Sequence, residues 1–404
     1  MTSLTPSSRR LRRSHTSASA IWRSSRVVGA LGIVLLVAIF APLHGAKSED
    51  GASLVVATFG GAYGQSQQIA YFEPFTQATG TKISMEIYDG TLGAIKDKIG
   101  TSPAAFDVVD LSAGALATLC SDGLLEPIES SMLDSGAGGQ SAAEDFLAGG
   151  LPSCGLASVA WSTTIVLDRQ AFTKGSPAKV ADLFDTKHFP GKRALPNGPR
   201  YTLELALLAD GAEPDNVYSE LATPAGADRA FKALDKIKAD IMWWDKAQDP
   251  ITWLMDKKVV MAAAYSGRIF RAAVGAPQLD TLWDGQVYDL DLWAIPKTAA
   301  NKDAAQRFIA FAMEPAHLAA QAQLIAYGPM RKSAIALVGK HPIINVDMKS
   351  YLPTTPDHMK KSLKFDAAWW SEHGEELGNR FQAWREQAST AEGTPQAAPP
   401  SQPQ

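Results

Sequence analysis

The sequence of 404 residues has few of the residues from which metal and catalytic sites are usually built. It contains two cysteines and seven histidines, and no two histidines have the spacing of metal ligands on one helix. The nucleophile motif G-x-S-x-G and the zinc motif H-E-x-x-H are both missing. Carboxylates are plentiful, but nothing in the sequence pairs two of them as an acid and a base. We therefore expect no metal, no cofactor and no enzymatic activity.

The sequence also lacks a concentration of positive charge. Its formal net charge is -4, and the basic residues after position 46 are not clustered, so nucleic-acid binding has no electrostatic support. With 46% hydrophobic and 20% charged residues, the composition is that of an ordinary globular protein. A chain of this length is too long for one hydrophobic core, so we expect two domains.

Both ends of the chain differ from its middle. Arginines precede an uncharged apolar run at residues 27–43, and Gly45-Ala46 and several polar residues follow it. This order is typical of a secretory signal, so we predict a signal peptide over residues 1–46 and a periplasmic protein. Since the run is just long enough to span a bilayer, a membrane-anchored leader is the alternative. Residues 388–404, which are rich in Pro and Gln, are predicted to be disordered.

The two cysteines are Cys120 and Cys154, and the segment between them is rich in Gly and Ser. If the protein is exported, its compartment permits a disulfide, which would restrain this segment. We therefore predict that the two residues are bonded. Two free, buried thiols are the alternative.

The first part of the exported chain predicts a strand at residues 54–58, a Gly-rich turn at 59–64 and a helix at 65–77. In open α/β sheets, ligands bind beyond the carboxyl ends of the strands, so Gly61 and Tyr63 in this turn are candidate ligand contacts. The glycine spacing fits neither a dinucleotide fingerprint nor a phosphate-binding loop. A tight turn with no ligand role is the alternative.

Further along the chain, strands and helices alternate with short connections, which favours an α/β fold with a largely parallel sheet. We predict strands at residues 82–88, 106–111, 157–167, 194–196, 242–244, 259–265 and 288–295. Helices are predicted at residues 93–99, 113–119, 202–209, 229–238, 304–313 and 315–325.

Aromatic and acidic residues recur at or near the predicted strand ends. Tyr63, Asp110, Tyr265 and Asp291 are four of them, and Trp370 lies further on. Aromatic faces attract an ammonium group, and carboxylates pair with it, so this set suits a cationic amine ligand. The alternative is that the rings belong to the core and the acids to the solvated surface.

The chain resembles the extracellular solute-binding proteins of ABC importers, in the branch that includes the spermidine/putrescine-binding proteins. The resemblance covers roughly residues 53 to 384. The segments that carry it are TFGGAY (58–63), YFEPF (71–75), FDVVD (106–110), GLLEPI (123–128), FPGKRAL (189–195), LELALLADG (203–211), YSGR (265–268) and WAIP (293–296).

This resemblance implies a two-lobed periplasmic binding protein fold of type II. Each lobe would be an α/β unit with a mixed, mostly parallel sheet flanked by helices, and the lobes would close on a ligand in the cleft between them. We expect lobe 1 to comprise residues 52–160 plus 291–334, and lobe 2 to comprise residues 161–290 plus 335–387.

The resemblance also implies the ligand contacts. Gly61 and Tyr63 correspond to the family's first cleft loop, and Ser112 beside Asp110 corresponds to its second. Tyr265 stands where polyamine binders have a tryptophan, Asp291 matches an acid that pairs with an amine, and Trp370 lies near a late contact. Tyr201 and Arg200 occupy a position where an acidic pair is expected, and Asp289 replaces a cleft tryptophan.

We therefore expect a monomeric, non-catalytic receptor that delivers a small organic cation of the polyamine type to a membrane permease. An arginine in the cleft would repel a polyamine and favour a carboxylate. The first alternative is thus an amino acid, an opine-like compound or another carboxylate-bearing solute, held by Arg200 and Asp291 together. A secreted enzyme on the same fold is the alternative from another functional class.

Overall fold

The computed structural model describes residues 53–101, 103–136 and 138–392, with side chains described as far as residue 387. The predicted leader, residues 1–46, lies outside them, and so does the choice between a signal peptide and a membrane anchor. Among the described residues, no helix is both long and apolar enough to span a bilayer. The final helix reaches Glu392, so the first residues of the predicted tail are helical, and the remainder lies outside the described part.

Ten strands of the described chain form one mixed sheet. They are β1 (Ser53–Thr58), β2 (Lys82–Ile87), β3 (Val108–Ser112), β4 (Leu156–Asp168), β5 (Arg193–Pro196), β6 (Ile241–Trp244), β7 (Met261–Tyr265), β8 (Leu279–Ala294), β9 (Gly328–Pro329) and β10 (Leu363–Lys364). Their order is β2-β1-β3-β8-β4-β7-β5-β6, while β9 pairs with β4 and β10 pairs with β8.

The sheet has a parallel group at each end and two long antiparallel strands between them. Strands β2, β1 and β3 are parallel, and so are β7, β5 and β6. Strands β4 and β8 run antiparallel to each other and connect the two groups. This arrangement confirms the expectation of an α/β fold with mixed sheets.

Fourteen α-helices accompany the sheet in the described residues. They are α1 (Gly61–Gln67), α2 (Glu73–Thr79), α3 (Leu92–Ile99), α4 (Ala113–Ser121), α5 (Ala142–Asp145), α6 (Thr202–Ala209), α7 (Val217–Leu221), α8 (Pro224–Asp235), α9 (Asp249–Met255), α10 (Ser266–Gly275), α11 (Lys302–Ala312), α12 (Pro315–Leu324), α13 (Lys332–Leu337) and α14 (Ala367–Glu392). A π-helical segment, Gln68–Phe72, joins α1 to α2, and Pro74, which has no N–H to donate, is the second residue of α2.

The long strands β4 and β8 each contribute to three apolar cores, and the two larger cores divide near the middle of these strands. Leu156 of β4 and Leu292 of β8 belong to the core around β1 and β3. Ile165 of β4 and Leu282 of β8 belong to the core around α6 and α8. Trp161 pairs with Asp289 where the strands pass from one core to the other. The residues in the middle of these strands therefore lie between the two cores.

The Gly-rich turn after β1 is shorter than the sequence suggests. Gly60 and Gly61 have φ values of 71° and 60°, which favour glycine. A side chain on Gly60 would also lie 2.9 Å from Ile87. The helix begins at Gly61 rather than at residue 65, so the expectation that Tyr63 stands in the turn is wrong. Tyr63 is instead a buried residue in the first turn of α1.

Cys120 and Cys154 form a disulfide, with their Cα atoms 5.9 Å apart. The bond joins the last turn of α4 to the segment that leads into β4. This confirms the predicted pairing and excludes the alternative of two free thiols.

Candidate functional site

A cavity of about 710 Å³ lies at the carboxyl ends of β1 and β7. The turn after β1, the middle of β4, the first turns of α10 and the segment from α12 to residue 344 form its wall. Its lining residues are Phe59, Gly60, Ala62, Tyr63, Trp161, Ala247, Tyr265, Gly267, Arg268, Phe270, Arg271, Val274, Leu324, Ile325, Tyr327, His341 and Ile344. A mostly apolar cavity with a few polar groups suits a small-molecule ligand.

Aromatic rings dominate the wall of this cavity. The ring centres of Tyr63 and Tyr327 are 5.4 Å apart, and those of Trp161 and Tyr265 are 5.5 Å apart in an edge-to-face arrangement. The ring of Tyr201 lies 6.5 Å from that of Trp161. The faces of such rings hold the methylene groups of a ligand and attract an ammonium group.

Asp291 is a buried carboxylate next to these rings. Its Oδ1 accepts a hydrogen bond of 3.2 Å from the indole N–H of Trp161. Burial raises the pKa of Asp291 well above its usual value, and the nearby Asp110 and Asp289 raise it further. Because burial disfavours the charged form, a positively charged ligand group would stabilise the carboxylate strongly.

Asp110 lies on the neighbouring strand β3 and is fully buried. Its Oδ2 accepts hydrogen bonds from Gln67 Nε2 at 2.6 Å and from Thr58 Oγ1 at 3.4 Å. Burial raises the pKa of Asp110, and these hydrogen bonds oppose the rise. The Tyr63 hydroxyl also opposes this rise, so it interacts with the Asp110 carboxyl. The buried Asp110 carboxyl thus lies within a polar cluster next to Asp291.

Asp289 adds a third carboxylate to the same region. It pairs with Trp161 across β4 and β8, and burial raises its pKa to about 6, although the Leu290 N–H and Lys364 oppose the rise. No group of three or more His, Cys, Asp or Glu side chains among the described residues is arranged to hold a metal ion. Three carboxyl groups thus lie close enough in this region for Asp110 and Asp289 to raise the pKa of Asp291.

Arg268 brings positive charge to the cavity. It lies in the first turn of α10, directly after β7, and its Nη1 donates a hydrogen bond of 3.0 Å to Gln248 Oε1. Its charge lowers the pKa values of Tyr265 and Tyr327, opposing the rise that burial causes. A guanidinium with a neutral partner is available to pair with a carboxylate of the ligand.

Five of the predicted ligand residues come together in this region. Tyr63 and Tyr265 line the cavity. Asp110 and Asp291 lie next to Tyr63 and raise its pKa, which burial already raises. Tyr201 faces Trp161 and lies close enough to Asp289 for that carboxylate to raise the Tyr201 pKa, after burial as the main cause.

The other predicted residues do not line the cavity, although Ser112 pairs with Asp291 in the strand register. Gly61 is the first residue of α1, and its neighbour Gly60 is the residue that lines the cavity. Ser112 caps α4 by accepting a hydrogen bond of 3.4 Å from the Ala115 N–H. Trp370 is 1% exposed, belongs to the second core and donates its indole N–H to Glu204.

Arg200, the arginine expected to meet a ligand carboxylate, is also outside the lining of the cavity. Its guanidinium lies 5.8 Å from the ring centre of Trp370, against α14. Two arginines of α10, Arg268 and Arg271, line the cavity instead. The sequence carried a signal for this, because Arg268 follows Tyr265 by three positions at a predicted strand end.

Two further lining residues, Trp161 and Tyr327, were not among the predicted contacts. Trp161 lies in the middle of the predicted strand at residues 157–167, whereas ligands are expected to bind beyond the ends of strands. Tyr327 lies between α12 and β9, and no pattern in the sequence marks it. A side chain on Gly267 would lie 2.8 Å from the Tyr327 ring, so the glycine allows Tyr327 to approach α10 closely.

The chain is similar to known solute-binding proteins. The family described as bacterial extracellular solute-binding protein matches residues 70–348. A gamma-aminobutyric acid (GABA)-binding protein of Pseudomonas aeruginosa is 38% identical over 339 residues, which are 84% of this chain and 92% of that protein. The spermidine/putrescine-binding periplasmic protein of Escherichia coli is 23% identical over 261 residues, or 63% and 72% of the two chains.

A solved ABC transporter substrate-binding protein from Bradyrhizobium japonicum has a similar structure. It has a TM-score of 0.69 and 29% sequence identity, and the match covers 82% of this chain and 99% of that one. The structural match confirms the expected periplasmic binding protein fold, and these relatives are solute-binding proteins rather than enzymes. The chain belongs to the family of bacterial extracellular solute-binding proteins, and its homologues serve ABC transporters.

Proposed function

We propose that the chain is the exported receptor of an ABC importer and captures a small zwitterionic amino acid of the GABA class. The observation that carries the proposal is that one aromatic cavity is flanked by the buried carboxylate of Asp291 and lined by the guanidinium of Arg268. A zwitterion presents one ammonium and one carboxylate. Both protein charges would therefore gain a partner when the ligand binds.

The ammonium of the ligand would pair with Asp291. This carboxylate is 5% exposed and already held by Trp161, so it is oriented before the ligand arrives. The rings of Trp161, Tyr63 and Tyr327 would exclude water from the pair and add their own attraction for the cation. An ion pair in such a dry site is far stronger than an exposed pair.

The carboxylate of the ligand would pair with Arg268. The planar guanidinium can donate two parallel hydrogen bonds to a carboxylate, and its partner in this structure is the neutral side chain of Gln248. When the ligand binds, its charged carboxylate would replace the neutral Gln248 oxygen as the acceptor for Arg268, and this favours binding. The P. aeruginosa relative is a GABA-binding protein, which supports a ligand of this class.

A polyamine, the ligand first expected from the sequence, is the second candidate. The three neighbouring acids Asp110, Asp289 and Asp291 favour it, and so does the similarity to the E. coli spermidine/putrescine-binding protein. Arg268 opposes it, because a second ammonium near this guanidinium would be repelled. We therefore rank the zwitterion first.

The proposal includes the lobe division inferred from the sequence. Lobe 1 comprises residues 52–160 plus 291–334, lobe 2 comprises residues 161–290 plus 335–387, and β4 and β8 serve as connections at which a hinge motion closes the cleft. The leader directs the chain to the periplasm. The chain acts there as a monomer and delivers its ligand to the membrane permease.

Isothermal titration calorimetry with three four-carbon ligands tests the proposal. GABA carries both charges, putrescine carries two ammonium groups, and butyrate carries only the carboxylate. We expect GABA to bind at least tenfold more tightly than either of the others, because each of them leaves one protein charge without a partner. Tightest binding by putrescine would favour the polyamine receptor instead. Failure of all three to bind would contradict both candidates.

A further inference from the structure

The backbone of Tyr201 is unusual. Its φ and ψ angles are 64° and -35°, and the other described non-glycine residues with positive φ are Lys257 and Asn345. A bulky residue rarely adopts such a conformation, and it persists only where surrounding contacts hold it in place. Tyr201 directly precedes α6 and is the member of this group that lies beside the candidate site.

This conformation directs the Tyr201 ring toward the site. The ring stacks on Phe365, with centres 4.9 Å apart, and lies 6.5 Å from Trp161. The nearby Asp289 raises the pKa of the phenol, in addition to the larger effect of burial. Tyr201 therefore lies between a core residue on one side and residues of the candidate site on the other.

A buried hydrogen-bond network fixes the first turn of α6 below Tyr201. Glu204, the third residue of α6, is fully buried. Its Oε1 accepts hydrogen bonds from the indole N–H of Trp370 at 2.6 Å and from the Tyr218 hydroxyl at 3.2 Å. The Tyr218 hydroxyl in turn accepts a hydrogen bond of 3.0 Å from the N–H of Asp366, the residue after Phe365. The network thus links the first turn of α6, which directly follows Tyr201, to the residue after Phe365, on which the Tyr201 ring stacks.

A buried glutamate at position 204 lowers the stability of the folded protein, because its carboxyl group loses its contact with water. Its second oxygen, Oε2, has no hydrogen-bond partner in the described part of the chain, and burial raises the pKa of the carboxyl to about 7. An apolar side chain of similar volume would avoid this desolvation. A costly polar network next to a strained residue is the arrangement expected where a fold maintains a functional geometry.

We propose that Glu204 and Trp370 are positioning residues that hold Tyr201 against the lining residue Trp161, so that Tyr201 determines the ligand affinity of the site. The proposal rests on the proposed function for its ligand. It also gives Trp370, which was expected to touch the ligand, an indirect role through Glu204 and Tyr201.

A double-mutant cycle tests this role, with GABA as the probe and calorimetry as the readout. Trp370→Phe keeps a ring but removes the indole N–H, and Tyr201→Ala removes the positioned side chain. We expect Trp370→Phe to weaken GABA binding at least fivefold in the wild-type background and less than twofold in the Tyr201→Ala background. Glu204→Gln keeps an acceptor oxygen for both donors and should stay within twofold of wild type.

Trp384 offers a matched control on the same helix. Its indole N–H donates to Asp235 Oδ1 at 2.8 Å, which is another tryptophan–carboxylate pair. Trp384→Phe should leave GABA affinity within twofold of wild type. The proposal is overturned if Tyr201→Ala leaves affinity unchanged, if Trp370→Phe costs the same with and without Tyr201, or if Trp384→Phe weakens binding as much as Trp370→Phe.

Hydrogen exchange separates this inference from the proposed function. If the wild-type chain binds no GABA, the proposed ligand is wrong, but the positioning role can still be measured. Trp370→Phe should then accelerate exchange of the amides of residues 202–205 at least fivefold, and Trp384→Phe should not. Unchanged exchange in Trp370→Phe would overturn the positioning role as well.

Discussion

The indole N–H of Trp161 donates a hydrogen bond of 3.2 Å to Asp291 Oδ1, and this bond links the two long strands β4 and β8 at the candidate site. Trp161 stands opposite Asp289 in the strand register, so the bond reaches diagonally to a residue two positions further along β8. The same indole lines the cavity. The hydrogen bond therefore fixes the position of the Asp291 carboxyl relative to the Trp161 ring, which forms part of the cavity wall.

Removal of the Asp291 charge should abolish most of the binding. Asp291→Asn keeps the shape of the side chain, but it removes the carboxylate assigned to the ligand ammonium. We expect GABA affinity to fall about 100-fold, or roughly 3 kcal/mol, in calorimetry. The control is Asp280→Asn on the same strand, whose carboxylate is exposed and lies 3.8 Å from Arg169. Equal losses in both variants would argue against the assigned ammonium site.

Arg268 should determine selectivity between zwitterions and diamines. Arg268→Gln removes the guanidinium assigned to the ligand carboxylate, one of two in the cavity lining. We therefore expect GABA to bind at least tenfold more weakly and putrescine to bind more tightly than to wild type. Competition calorimetry with the two ligands measures both changes. Arg169→Gln, at an exposed arginine outside the cavity lining, should change neither affinity by more than twofold. Unchanged GABA affinity in Arg268→Gln would contradict the carboxylate site.

The stability of the ligand-free protein should depend on the protonation of Glu204. Burial raises its pKa from 4.5 to about 7, so the folded state holds a proton that the unfolded state releases in this range. The free energy of unfolding should therefore fall as the pH rises from about 4.5 to about 7, by roughly 3 kcal/mol relative to Glu204→Gln. Urea unfolding of both proteins across this range measures the difference. If the difference in free energy of unfolding between the two proteins stayed constant over this pH range, the folded state would not retain the Glu204 proton.

The disulfide should matter for stability and not for ligand choice. The bond between Cys120 and Cys154 closes a loop outside the cavity lining. We expect Cys120→Ser with Cys154→Ser to lower the free energy of unfolding by about 2–4 kcal/mol while GABA affinity stays within twofold. Chemical denaturation and calorimetry on the same samples measure the two effects. A large loss of GABA affinity in a double variant that is still fully folded would show that the disulfide also shapes the site.

Much of the fold could be predicted, because local patterns determine it. Residues 202–209 have a helical pattern, and α6 has these bounds. Helix α10 was not predicted, since its first residues read as the turn after a strand. The length of β8 was also underestimated: its first half carries Asp280, Asp284 and Gly285, which weaken a strand pattern.

The site was harder to predict, because it depends on contacts between distant parts of the chain. Asp110 and Asp291 were identified as acids at strand ends, and the pairing of β3 with β8 brings them together. Trp161 contributes from the middle of a strand, which becomes accessible only because β4 continues from one core to the other. Trp370 was expected in the cleft, but its position on α14 directs the indole into the second core.

A crystal structure of the complex with GABA is the most direct test of the central claim. We expect the GABA ammonium within hydrogen-bond distance of Asp291, between the rings of Trp161 and Tyr63, and the GABA carboxylate on the guanidinium of Arg268. A ligand bound with its ends reversed, or bound away from these residues, would contradict it.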